Sequence, residues 1–260
     1  MDSLNFDLSY RRKRLRKRKK RRQTITAIVC ISLILLPIIF SMKSESNFVA
    51  TIKKADTTSK DVFTICIDPG HGDWDTGTIG TRGCKEKDIV LNIALKLGKL
   101  LSEEEDIKVI YTRTSDSLPW LENANDSLKE RIKISNLADA NLFISLHCNS
   151  NYENTDSKGV ETWYNPEFPE NQVFASYLQY QLTKLCYTDD RGLKYYETED
   201  DALAVLEKTT ATSALVEFGF ISNFEDEYYL NSTPGQSACA EALYNGIMNY
   251  KENLDNNEKK

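Results

Sequence analysis

The 260-residue chain contains two histidines, and each sits beside a short apolar run. His71 stands in Asp-Pro-Gly-His-Gly, just past the run FTICID of residues 63–68. His147 closes the run ISLH and leads into Cys148-Asn149-Ser150. Glu217 closes the run ALVE, and Glu86 comes just before an amphipathic helical pattern over Asp88–Leu101. Two imidazoles and one carboxylate form a ligand set for catalytic zinc, with the fourth position left to water. A second carboxylate nearby can take the proton from that water. On this chemistry His71, Glu86 and His147 are assigned as metal ligands and Glu217 as the general base. The same ligands also suit non-haem iron. Hydrolytic zinc is favoured for a domain outside the membrane that suggests no redox cofactor. A lone histidine after a strand is more often a hydrogen-bonded surface residue, and a glutamate more often a solvated charge. The assignment therefore requires the four segments to converge.

The elements needed for convergence are legible in the pattern. Strand runs occur at 63–68, 107–112, 141–146, 159–164 and 213–218. Helical spacing of apolar residues marks 88–101, 170–186 and about 234–250, with a short helix at 202–206. Another helix is expected to begin at Ser127, with Glu130 completing a capping box. Strands alternating with helices predict an α/β sandwich, a single domain with a mostly parallel central sheet flanked by helices. Unbroken apolar runs such as NLFISL at 141–146 fit strands covered on both faces. In an open sheet of this type, sites form outside the carboxyl ends of the strands. His71, His147 and Glu217 all fall there, and Glu86 would project from its helix start towards the same rim.

Charge divides the chain. Residues 11–22, RRKRLRKRKKRR, hold eleven basic residues in twelve, and residues 23–41 are uncharged and mostly apolar. As a helix the uncharged run would rise about 28 Å, close to the hydrocarbon thickness of a bilayer. Dense cations before a first span stay cytoplasmic. The predicted organisation is a basic cytoplasmic segment (1–22), an N-terminal transmembrane helix (23–41), a tether (42–61), a catalytic domain (62–250) and a frayed tail (251–260). The chain is thus expected to be a single-pass protein of the cell membrane with its catalytic domain outside the cytoplasm. From Ser46 onward there are 21 basic and 36 acidic side chains, a charge of about −15, which opposes nucleic-acid binding by this part. Five cysteines outside the apolar run, widely spaced and without a CxxC pair, do not suggest a disulfide framework.

The segments around the four site residues are IDPGHGDWDTGTIG (67–80), GCKEKDIVLNIA (83–94), SLHCNS (145–150), GVETWY (159–164) and VEFGFISN (216–223). In this order they resemble the zinc-dependent N-acetylmuramoyl-L-alanine amidases, a family with an α/β phosphorylase/hydrolase-like core. The resemblance covers nearly all of the domain after the tether. It implies that His71, Glu86 and His147 bind Zn2+ and that Glu217 is catalytic, in agreement with the reading from residue chemistry. It also implies peptidoglycan as substrate, with cleavage between N-acetylmuramic acid and L-alanine. The resemblance leaves vegetative separation, wall turnover and spore-cortex processing open as settings, with small members of the family occurring in sporulation, and it admits a protein activator. Two departures stand out. The family often has a proline shortly before the strand of the catalytic glutamate, where this chain has Thr209–Ala214. Some regulated members carry a long blocking helix, where this chain has only a modest loop before Ser127, with Trp120 as the contact residue of a short lid.

Other residues have softer readings. Gly70, Gly72, Gly77 and Gly80 permit the tight loop that places His71. Asp68 is expected to position that loop, to accept a hydrogen bond from His71, or simply to serve the local turn. Asn149 would bind substrate or cap a turn. Arg191, at a position that resembles one in the family, would pair with a stem-peptide carboxylate or with nearby acids. Asn223 and Asp226 read as a helix cap.

Overall fold

The computed structural model describes residues 62–118, 124–196 and 203–258. In chain order its elements are β1 (Phe63–Pro69), α1 (Glu86–Leu101), β2 (Ile107–Tyr111), α2 (Ala124–Leu137), β3 (Leu142–Asn149), β4 (Val160–Trp163), α3 (Pro169–Thr183), β5 (Asp190–Lys194), α4 (Ala204–Lys208), β6 (Thr212–Phe220), α5 (Phe224–Leu230) and α6 (Thr233–Glu258). The strands form one sheet in the order β2-β1-β3-β6-β4-β5. β2, β1, β3 and β6 are mutually parallel, while β4 runs antiparallel to β6 and parallel to β5. The mostly parallel α/β architecture expected from the pattern is therefore present.

Alternate residues of the central strands build two different faces. On one face Ile65, Ile67, Ile144, Leu146 and Val216 join α1, α3 and α6 in the main core. Ile89, Ile93 and Leu97 of α1 fall at helical spacing and are fully buried there. On the other face Cys66, Phe143 and Leu215 pack with Val205 and Leu206 of α4 and with Ile132 of α2. This second core is smaller, and towards the carboxyl ends of its strands it gives way to polar residues. Asp68, Ser145, His147, Glu161 and Glu217 occupy that end, and register explains why. His147 lies opposite Glu217, and Glu217 lies opposite Glu161, so paired residues share a face.

Several boundaries differ from the sequence reading. Glu86 is the first residue of α1 instead of the residue before it. Helix α2 begins at Ala124, so Ser127 lies inside it and makes no capping box. The Ser127 hydroxyl instead accepts a hydrogen bond from Arg131 Nε at 3.2 Å. Strand β5 was not anticipated, because Asp190-Arg191-Gly192 carries none of the alternation of a half-buried strand. Helix α6 runs to Glu258, well beyond the predicted end. Lys251 ties its last turns to Asp106 at 3.0 Å, and Leu254 packs against the core. The basic segment, the apolar run 23–41, the tether and Trp120 lie outside the described residues. Among the described residues no helix is long and apolar enough to cross a membrane.

Candidate metal centre and active site

Three short devices bring the four predicted residues together. The first is the loop after β1. His71 and Asp73 adopt left-handed backbone conformations, with φ of 60° and 55°. For residues with a side chain this costs roughly 1 kcal/mol or more each. Gly72 N–H donates to Asp75 O, and Asp75 N–H donates back to Gly72 O. The turn places Asp75 Oδ2 2.9 Å from His71 Nδ1. With that nitrogen donating to a carboxylate, Nε2 is left as the ligand atom.

The second device is the start of α1. Glu86 sits in its first turn, where the helix dipole favours a carboxylate. Its side chain is 3% exposed. Thr78 N–H donates to Oε2 at 2.9 Å, and Cys148 N–H donates to Oε1 at 3.0 Å. The third device is the end of β3, which presents His147. Glu86 Oε1 then lies 3.0 Å from His71 Nε2 and 2.9 Å from His147 Nδ1. Burial alone would raise the Glu86 pKa, but His147 and His71 together hold its carboxyl below the usual carboxylate range.

One atom from each of His71, Glu86 and His147 falls within 4.8 Å of the others. The donor set is two nitrogens and one carboxylate oxygen. Ligands at about 2.0–2.2 Å around tetrahedral zinc would lie roughly 3.3 Å apart, so small movements from the observed spacing suffice. Two glycines make room for this packing. A Cβ on Gly70 would meet the His147 ring at 2.2 Å, and one on Gly77 would meet Glu86 Oε2 at 2.6 Å. The residues present fit a small divalent cation.

Glu217 is brought beside this cluster but does not enter it. Its Oε2 is buried with no hydrogen-bond partner. Burial, followed by the charges of Glu86 and Glu161, pushes its carboxyl well above the usual carboxylate range. A cation held by the neighbouring three residues would pull it back down. His71, His147 and Glu217 share one cavity of about 400 Å³, whose lining also includes the apolar side chains of Trp74, Leu128, Leu203 and Val205. Charged and apolar side chains lining one cavity can orient a partly polar substrate.

Asp68 does not bond His71. It accepts from Thr112 Oγ1 at 2.6 Å, Ser145 Oγ at 2.7 Å and Arg131 Nη1 at 2.6 Å. Arg191 Nε pairs with Glu161 at 2.7 Å, the second of its two predicted roles. Asn149 donates to the same Glu161 at 3.1 Å. Asn223 caps α5 through the Glu225 and Asp226 N–H groups. Cys66 and Cys148 are buried, and all five cysteines of the described residues are free. Sequence reasoning missed Asp75, Arg113, Arg131 and Glu161. For Asp75 a signal existed, since a carboxylate four residues from a candidate ligand is a candidate orienting group.

Residues 65–249 match the family model described as N-acetylmuramoyl-L-alanine amidase. The chain is 32% identical over 226 residues to the N-acetylmuramoyl-L-alanine amidase LytC of Bacillus subtilis, covering 82% of this chain and 42% of LytC. It is 30% identical over 193 residues to the germination-specific N-acetylmuramoyl-L-alanine amidase of the same organism, covering 72% and 78%. The chain spans less than half the length of the larger curated relatives it matches. Among solved structures, the amidase CwlD from Clostridioides difficile, in complex with the GerS lipoprotein, superposes with a TM-score of 0.68 at 31% identity. That likeness covers 73% of this chain and 98% of CwlD.

Proposed function

Because the chain belongs to the N-acetylmuramoyl-L-alanine amidase family, we propose that it hydrolyses the amide bond between N-acetylmuramic acid and L-alanine in peptidoglycan. One observation carries this reading. His71, Glu86 and His147 converge at one rim of the sheet, and the unpartnered Glu217 oxygen lies beside them at the wall of the same cavity.

His71, Glu86 and His147 would hold zinc. The ion supplies Lewis acidity, which acidifies water and polarises an amide carbonyl. Glu217 accepts the proton of the attacking water on Oε2 and delivers it to the departing alanine nitrogen. Its burial keeps competing hydrogen bonds away from that oxygen. Asp75 holds the His71 ring through Nδ1, and Thr78 and Cys148 N–H groups hold the Glu86 carboxylate. Both devices keep the ligand atoms in place while substrate enters. The apolar side chains of Trp74, Leu128 and Leu203 offer a surface for the sugar ring and lactyl methyl, leaving the amide to the charged residues.

The same reading extends to the rest of the chain. The uncharged run 23–41 after a block of cations supports a membrane anchor with the catalytic domain outside the cytoplasm. Similarity to the germination-specific enzyme supports a sporulation setting. The complex of CwlD with the GerS lipoprotein supports a protein partner for this chain, in keeping with the expected activator.

Metal analysis combined with turnover tests the assignment. Purified protein should carry about one zinc per chain, and Glu217→Gln should retain that zinc while losing hydrolysis. His147→Ala should lose both. Full hydrolysis by Glu217→Gln, or hydrolysis by a zinc-free His147→Ala, would refute these roles.

A further inference from the structure

The loop that carries His71 is held from behind by two arginines, both 4% exposed. Arg113 follows β2, and its Nε donates to Pro69 O at 3.0 Å while Nη2 donates to Gly70 O at 2.8 Å. The same Nη2 also reaches Lys87 O at 2.8 Å, in the first turn of α1. Arg131 comes from α2. Its Nη1 donates to Pro69 O at 2.7 Å and to Asp68 at 2.6 Å, and its Nη2 donates to His71 O at 2.6 Å. Three consecutive carbonyls, those of Pro69, Gly70 and His71, are thus each fixed by a guanidinium.

This arrangement is more than solvation of a loop. Two like charges are placed together in the interior. Burial, followed by the Arg131 charge, pulls the Arg113 pKa down to about 10, so it stays protonated at neutral pH. Asp68 is the buried counter-ion for Arg131, and Ser127 accepts from Arg131 Nε. The object being held is a backbone that does not rest in a favoured conformation, since His71 has φ of 60°. Left alone, that residue would relax and carry its imidazole away from Glu86 and His147. Arg113 also bridges the loop to α1 through Lys87 O, one residue after Glu86. The bridge therefore fixes two of the three ligand-bearing segments relative to each other.

We propose that Arg113 and Arg131 are positioning residues that clamp the Pro69–His71 backbone and the start of α1, setting the affinity of the His71–Glu86–His147 centre for its metal. The proposal rests on the reading of these three residues as zinc ligands. A planar fork with several donors is needed, because each guanidinium serves at least four acceptors at once. Lysine keeps the charge beside Asp68 but cannot span those acceptors.

The test uses the full chain and its Arg113→Lys, Arg131→Lys and His71→Ala variants. Two quantities are read for each: zinc affinity by competition with a chromophoric chelator, and the melting temperature of the metal-free protein. The expected result is zinc binding about 10- to 100-fold weaker in either lysine variant, the range typical of lost partners behind metal ligands. The metal-free lysine variants should still melt cooperatively. A merely structural role would lower the metal-free melting temperature and leave the zinc affinity of the folded protein unchanged, which would overturn the proposal. Failure of both lysine variants to fold would overturn it too, by making the arginines supports of the whole domain. His71→Ala separates the clamp from the ligand assignment beneath it. If this variant binds zinc as tightly as the wild type, the ligand reading itself fails, whatever the arginine variants do.

Discussion

Glu86 is a buried carboxylate and Glu217 a half-buried one with a buried oxygen, and their surroundings drive them in opposite directions. Glu86 is held as an anion by two imidazoles and two N–H groups, whereas Glu217 has an oxygen with no partner. Replacing Glu217 with glutamine keeps size and removes proton transfer, so kcat/KM should fall by about 10²–10⁴-fold, the usual contribution of a general base. Gly70 makes a second residue-scale prediction. Its missing Cβ is the space in which the His147 ring sits. Gly70→Ala should displace that ring and weaken zinc binding by at least about tenfold, measurable by chelator competition, while the circular dichroism spectrum stays unchanged. Asp68 gives the pH dependence. Burial works to raise its pKa, but the Arg131 charge and the hydrogen bonds from Thr112, Ser145 and Arg131 outweigh it and hold the carboxyl below its ordinary value. A depressed folded-state pKa means the stabilisation is complete above the unfolded value, near 4, and is lost as pH falls through the folded value. Urea midpoints between pH 7 and pH 2 should therefore drop more steeply for the wild type than for Asp68→Asn. At pH 7 the variant should be less stable by about 3–5 kcal/mol, because Arg131 loses its buried partner.

At the scale of elements, the strands and helices with clear periodicity are those the sequence reading located. β1, β3 and β6 are apolar runs covered on both faces, and α1 carries a buried stripe at helical spacing. The site residues they end in were legible for the same reason: His71, His147 and Glu217 interrupt or close apolar runs at the carboxyl edge. What escaped was set by contacts between distant segments. Strand β5 is held by pairing with β4, and its exposed Asp190-Arg191, followed by half-buried Gly192, shows no pattern of its own. Arg113 and Arg131 look like solvated charges in one dimension, because the carbonyls of the His71 loop that they bind lie more than 40 residues away. The end of α6 escaped because KENLDNNEKK is polar, yet Lys251 and Leu254 anchor it to Asp106 and the core. Truncation after Tyr250 should accordingly lower stability by about 1–2 kcal/mol, from one part-buried leucine and one ion pair, read as a reduced urea midpoint with an unchanged site. Phe174→Ala in α3, fully buried against Tyr250, should be more severe at about 3–5 kcal/mol.

For the molecule as a whole, family, sheet topology and site geometry all support the proposed hydrolase, with a candidate metal centre at the carboxyl edge of a mostly parallel sheet. Under the proposed membrane anchoring, the cationic block before the apolar run and the acidic domain after residue 45 would face opposite sides of the membrane, with peptidoglycan on the domain's side. The most direct test is the mass of the products released from purified peptidoglycan, with and without a chelator and after zinc is restored. Zinc-dependent amidase action predicts stem peptides that begin with a free alanine amine, lost on chelation and recovered with zinc. Release of the same products at full rate in the presence of chelator, or cleavage only at a different bond, would contradict it.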